Sequence, residues 1–242
     1  MRSKVIGLLV VGIALAFLGA ARTSSRSQQN KLAELEASKD RGTMRWYAAV
    51  AKAKGQNRVV VPAPTTEYAG GDIDFGLDKA LADYGVVRAR PIGKITQLFS
   101  ADEIVTWYKF KVVETIAEQP KSPGYPADSI AAPPTELLPL AEDEFVTARD
   151  GGKIRIDGVS VTMLNASFPS FKSNEEYVLL IYKYPSGNAT TCGGPAGVFR
   201  VSDGIIEPVT KQVHRIKDEM KSRFQNSVQE FKAYLTSRPI SR

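Results

Sequence analysis

The stretch Ile104-Val-Thr-Trp107-Tyr108-Lys109-Phe110-Lys111-Val112-Val113-Glu114-Thr115-Ile116 decides the fold class. β-branched and aromatic residues fill it, no Gly or Pro interrupts it, and successive side chains alternate between two faces. Ile104, Thr106, Tyr108, Phe110 and Val112 form an apolar face, against a mixed face of Val105, Trp107, Lys109, Lys111 and Val113. A strand over Glu103–Ile116 is more than twice the usual length of about 5–6 residues, so it must bend around a small core, which points to a barrel.

Working outward, further strands are expected at Val86–Ala89, Glu144–Ala148, Lys153–Met163, Tyr177–Tyr182 and Val198–Val201. Asp157-Gly158 splits the third of these, because Asp-Gly accepts the positive φ values of a two-residue type I′ turn. Tyr177-Val-Leu-Leu-Ile-Tyr182 is apolar on both faces and should be a central strand buried on both sides. A short helix around Phe75, Leu77, Lys79, Leu81 and Tyr84 precedes the first strand. Residues 119–140 hold six of the fourteen prolines and read as an insertion joining two barrel strands. Ser167-Phe-Pro-Ser-Phe171 reads as an inward-pointing turn.

These pieces resemble a known arrangement. Val86-Val-Arg-Ala-Arg-Pro91 after a short helix, the Ile104–Ile116 strand, the Gly151-Gly152 turn, Phe171-Lys-Ser-Asn-Glu-Glu176 leading into Tyr177–Tyr182, and Gly194-Pro-Ala-Gly197-Val-Phe-Arg-Val201 together resemble uncharacterised exported bacterial proteins. Their domain is similar to the OB-like barrels of netrin and metalloproteinase-inhibitor modules. The resemblance covers residues 72–208 and implies a partly open five-stranded barrel in an exported protein; it assigns no activity and no functional residue. The chain departs from the netrin-type pattern in lacking disulfide cysteines, and this argues against inhibition through a disulfide-tied N-terminal amine.

Arg2 and Lys4 precede an uncharged run from Val5 to Ala21, followed by Arg22 and a polar stretch. Seventeen residues at about 1.5 Å each span roughly 26 Å, slightly short of the ~30 Å hydrocarbon core. Residues 1–21 are therefore a cleaved signal peptide or an uncleaved membrane anchor, and both place the rest of the chain outside the cytoplasm, periplasmic or tethered to the inner membrane. Residues 22–71 read as a helical segment, with a break at Asp40-Arg41-Gly42, and a Pro/Gly linker. Trp46 and Tyr47 are expected to pack on the domain rather than at a membrane surface.

Composition and charge narrow the chemistry. The 242 residues are 43% hydrophobic and 24% charged, with net charge +6. Residues 1–26 carry four positive charges and 211–242 a net five, which leaves the body at −3. The basicity thus belongs to the ends, and no nucleic-acid partner is expected. Residues 209–242 read as one long, basic, amphipathic helix with Val213, Ile216, Met220, Phe224, Val228, Phe231 and Leu235 on its apolar stripe. The stripe is expected to cover the barrel or the N-terminal helix; adhesion to an anionic membrane surface is the alternative.

One Cys and one His leave little room for catalysis or metal. Cys192 lies in the loop Cys192-Gly-Gly-Pro-Ala-Gly197, and the lone histidine, His214, is expected to face solvent, so a nucleophilic pair is not expected. Asp72, Asp74 and Glu142-Asp143-Glu144 follow no twelve-residue calcium pattern. No catalytic residue, cofactor or metal is assigned. The expectation is a mainly β, α+β protein: an OB-like, partly open barrel over 72–208 between an N-terminal export segment and the C-terminal helix. It would act as a non-enzymatic binding or structural module of the bacterial envelope. Its partner would be a protein or envelope component, and Trp107, Tyr108 and Phe110 the aromatic groups of a ligand groove. A hydrolase using the Cys192 loop or acidic residues is the alternative.

Overall fold

The computed structural model describes residues 29–38, 40–63, 76–120 and 132–238. The export segment, most of the linker, Asp72, Asp74, Phe75 and residues 121–131 of the proline-rich insertion lie outside the described residues. The fold is mainly β with a few helices, an α+β architecture. Two compact units divide it: residues up to Val61 together with Arg155–Thr162, and Pro62–Ile154 together with Met163–Arg242.

The first unit holds a helical stretch at 29–37 (α1) and α2 (Met44–Ala53), separated where the sequence breaks at 40–42. Thr43 caps α2 by accepting a hydrogen bond from the Trp46 N–H. Trp46 is half-buried, and its Nε1 donates to the Leu35 carbonyl at 2.6 Å, tying α2 to α1. Between the helical segment and the Pro/Gly linker lies a strand to which the sequence reading assigns no element, β1 (Arg58–Pro62). It pairs in a three-stranded sheet, order β1-β6-β5, with the hairpin of β5 (Gly152–Ile156) and β6 (Val159–Leu164). Asp157 and Gly158 turn that hairpin at φ of 48° and 86°, the conformation an Asp-Gly pair supplies cheaply.

The second unit is built on α3 (Leu77–Asp83), β2 (Gly85–Leu98), β3 (Ile104–Ala117), β4 (Glu144–Asp150), β7 (Glu176–Lys183), β8 (Ala189–Thr191), β9 (Val198–Ser202), β10 (Ile205–Pro208), α4 (Arg215–Phe224) and α5 (Val228–Ser237). Its sheet runs β10-β9-β7-β2-β3-β4, antiparallel at every step, with β8 pairing the second half of β7. β7 is central and buried along Tyr177–Ile181. Strand β2 extends far beyond Ala89, through Pro91 to Leu98. Pro91 is tolerated because the β2–β3 register shifts between Pro91 and Gly93, where the ladder is interrupted anyway.

Two layers of core lie on opposite sides of this sheet. The inner layer gathers Tyr108, Phe110, Phe145, Phe168, Phe171 and Tyr177 with Val87, Leu179, Ile181, Ala189 and Val198. Phe110 stacks on Phe145 at 5.3 Å and meets Phe171 edge-on at 5.0 Å. The turn at 167–171 thus points inward as its sequence suggested. On the outside, Val86, Val178, Leu180, Phe199 and Ile206 pack against α3, α4 and α5. A smaller outer cluster sets Val105, Trp107 and Val146 against Leu137, which belongs to the described end of the proline-rich insertion.

The C-terminal region is two ten-residue helices, not one long helix. Gln225 and Asn226 adopt left-handed conformations, and Ser227 then caps α5 by accepting from Glu230 N–H. The apolar stripe survives the break: Ile216, Met220, Phe224, Val228 and Phe231 are all buried in the outer core. Val213, assigned to the stripe, is 88% exposed and precedes the helix. Basic residues on the other face pair with carboxylates, as Arg223 does with Asp78 at 3.1 Å and Arg215 with Glu219 at 2.8 Å. Glu219 also reaches α3, whose Gly76 cap offers no side chain, and accepts the Leu77 N–H at 3.0 Å.

Candidate functional site

Strands β4 and β8 approach each other at one point. Val146 and Asn188 form an isolated parallel bridge, and the Val146 N–H donates to the Gly187 carbonyl at 3.1 Å. No ladder continues from it, so the sheet does not close. Beyond the bridge the two strands border a cleft of about 360 Å³. Residues Thr147–Asp150 form one wall and Asn188–Thr191 the other, while Trp107 of β3 and Phe99 and Glu103 of the β2–β3 connection extend it. The volume falls at the low end of the range typical of small-ligand sites, about 300–1,000 Å³.

The polar content of this cleft is unusual for so buried a place. Thr147, Arg149, Asn188 and Thr191 are all buried. The Arg149 guanidinium is held by the Phe168 carbonyl and, at 3.5 Å, by that of Asn165. Trp107 is 2% exposed, and its Nε1 has no hydrogen-bond acceptor among the described residues. A buried donor without a partner costs about 1–3 kcal/mol, so its persistence calls for a reason.

Glu103 and Asp150 supply the second irregularity. The β3–β4 register sets Asp150 beside Val105, and Glu103 and Asp150 line the same cleft. Burial chiefly, and then the Asp150 charge, raise the Glu103 carboxyl above the usual carboxylate range; Asp102 adds a smaller push in the same direction. Two carboxyl groups drawn together in a cleft form the kind of pair that structural ion networks avoid and binding sites collect.

The aromatic residues expected to share a groove are separated by strand alternation. Tyr108 and Phe110 are sealed in the inner core, and Trp107 alone lines the cleft, from the opposite face of β3. Cys192 is fully buried, and burial pushes its thiol up to about 12, far from a nucleophile's range. His214 is half-buried rather than solvent-facing: it caps α4, its Nδ1 accepting from the Ile216 N–H at 3.3 Å. Glu144 pairs with Lys109 at 2.8 Å and Asp143 with Lys111 at 3.3 Å. Among the described residues no cluster of three or more His, Cys, Asp or Glu is arranged to hold a metal. Likewise no described helix is long and apolar enough to cross a membrane.

A larger cavity of about 720 Å³ opens at the other end of the inner core, floored by Val87, Val112, Phe145 and Ile181. Its rim is occupied by the chain itself: the Lys183 N–H donates to Gln119 Oε1 at 2.5 Å and Lys183 Nζ to the Glu142 carbonyl at 3.2 Å. The seam between β4 and β8 is the better candidate because its polar groups are gathered beside the Trp107 indole, whose donor has no acceptor among the described residues. Glu103 and Asp150 carried no signal in the sequence, since forty-six positions separate them and only the β3–β4 register unites them. No protein-family model, curated protein or solved structure matches the chain.

Proposed function

We propose that this chain is a non-enzymatic binding module of the bacterial cell envelope, exported and either released or tethered by residues 1–21, which takes its partner at the β4–β8 seam. The finer architecture we propose is a partly open OB-like barrel. In its favour, β2, β3, β4, β7 and β8 all contribute to one inner core, and β4 and β8 touch through a parallel bridge. The observation that carries the binding reading is the cleft itself, with two carboxyl groups and an indole donor that has no acceptor among the described residues in one small space. The acidic body speaks for a protein or envelope component over nucleic acid.

The competing readings draw less support. A hydrolase at the Cys192 loop needs an accessible thiolate, and this thiol is buried. Adhesion of the C-terminal region to a membrane needs a free apolar stripe, whereas this stripe is core.

The chain holds two tryptophans, so the Trp107 indole N–H gives one of two signals in a nitrogen-edited NMR spectrum, and Trp46→Phe assigns it. Soluble envelope components that enter the cleft shift the Trp107 signal and leave that of Trp46 in place. If peptides, glycans and lipid headgroups all leave the cleft signals unmoved, the binding reading fails. Export is tested separately: residues 1–30 should drive an export-dependent reporter, and an inactive fusion would overturn that part.

A further inference from the structure

We infer that the open end of the cleft binds a neutral sugar ring, a pyranose that rests its C–H face on Phe99 and presents its hydroxyls to Glu103 and to the threonines of the walls. This rests on the reading of the cleft as a binding site and names its ligand class.

The site lies past the end of β8. Counting in parallel from the Val146–Asn188 bridge sets Thr191, the last residue of β8, level with Arg149. β4 runs on to Asp150, while the other wall turns off through Gly193 and Gly194, both in left-handed conformations. The β2–β3 connection reaches the same end of the cleft. Its Phe99 N–H donates to the Glu103 carbonyl at 2.9 Å, and Ser100 Oγ donates to Asp102 at 2.7 Å, so a closed turn carries Phe99 and Glu103 at paired positions.

The lining selects the ligand. Phe99 is a large apolar side chain left 50% exposed at the border of a polar cleft. An aromatic face in that place suits a sugar ring, whose C–H face is apolar although its rim is polar. The hydroxyls of Thr147, Thr190 and Thr191 line the cleft and form no side-chain hydrogen bond among the described residues. A hydroxyl both donates and accepts, so it matches another hydroxyl in either role. Charges of both signs border the space, Glu103 and Asp150 against Arg149, so a ligand of either charge meets a like charge and a neutral one meets none. A carboxylate has about four lone-pair positions and keeps some for a sugar hydroxyl even where another group already donates to it. The volume of about 360 Å³ takes the end of a glycan rather than its length.

The test titrates the isotope-labelled full chain with the methyl glycosides of glucose, galactose and N-acetylglucosamine. Glucuronate serves as the charged sugar, sorbitol as the open-chain polyol, and a capped hexapeptide and glycerophosphocholine represent other ligand classes. At least one neutral glycoside should shift the Trp107 indole and the amides of Phe99 and Glu103 to saturation, and bind at least tenfold tighter than sorbitol and glucuronate. Phe99→Ala should weaken that binding at least tenfold with an unchanged thermal midpoint, because the side chain is half exposed, and Phe99→Trp should keep it. Should Phe99→Ala not fold, Thr190→Val serves in its place: it removes a hydroxyl, keeps the shape and should weaken binding at least threefold. Sorbitol or glucuronate binding as tightly as the best glycoside, or a variant binding like the parent, overturns the sugar site. If the peptide or the headgroup moves the cleft signals and no sugar does, the cleft remains a binding site and the sugar proposal is wrong; if nothing moves them, both fall.

Discussion

The two flanks of the second unit's sheet solve the same problem in opposite ways. On the flank carrying β7, β9 and β10, Val178, Leu180, Phe199 and Ile206 are buried against α3, α4 and α5, and Arg223 and Arg215 are matched by Asp78 and Glu219. Asp78 shows it: hydrogen bonds from Tyr234 and Arg223 outweigh its partial burial and hold its carboxyl below the usual range. At the β4–β8 seam the balance reverses: burial first, and then the Asp150 charge, push the Glu103 carboxyl up, and the Trp107 donor has no acceptor among the described residues. One flank is built for stability. The other gives up stability in a small volume, which is where a fold that is otherwise self-consistent is expected to carry its function.

The contrast is open to direct attack. The largest effect is expected in the shared inner core: Phe110→Ala should cost about 3–5 kcal/mol in urea denaturation, because it empties a site bounded by Phe145 and Phe171. A loss below about 1 kcal/mol would mean that the inner layer is not a packed core. Next comes the Gly151-Gly152 turn that ends β4. Gly152 sits at φ 152°, and a methyl there would overlap Thr106 Oγ1 and Thr96 Cγ2. Gly152→Ala should cost about 1–3 kcal/mol, read from the same denaturation curves.

Smaller effects distinguish the flanks by sign. Glu103 has a raised folded-state pKa, so the folded state holds more protons than the unfolded one in the window above the ordinary value of about 4.3. Stability therefore falls as pH rises through that window. Glu103→Gln should remove this decline and leave the protein at neutral pH as stable as the parent or slightly more so; a clear loss at pH 7 would mean the carboxylate is structurally required. Asp78, with a lowered pKa, behaves in the opposite sense: its contribution is present above about pH 3.9 and fades as pH drops further. Asp78→Asn should cost less than about 1 kcal/mol at pH 7, because the pair is largely exposed, and nothing at pH 2.

How much of this was legible in the sequence depended on the range of the signal. Local alternation marked β3 and β7, and the Asp157-Gly158 turn stood out, because each is set by neighbours a few residues apart. β8 and β10 are three and four residues long and carry too few positions for a period. Local pattern ends β2 at Ala89, before Pro91, because a register shift that absorbs a proline leaves no local trace. The C-terminal helices were fused because Met220, Phe224, Val228 and Phe231 keep a helical spacing across a break that only Asn226-Ser227 announces. Trp107 was chosen for its aromatic ring, yet its partners at the cleft come from β4 and β8, whose approach depends on tertiary closure.

The placement of α4 and α5 has a consequence in time. They close a core cluster that also holds Leu77, Ala80, Leu81, Tyr84 and Val86, so part of this core joins segments some 130 to 150 residues apart. Contacts of such separation form late, because the chain must pay the entropy of closing the intervening loop first. A ribosome that has produced residues up to 210 has yet to produce the residues that seal this face. This face of the core therefore stays uncovered until α4 and α5 have been made.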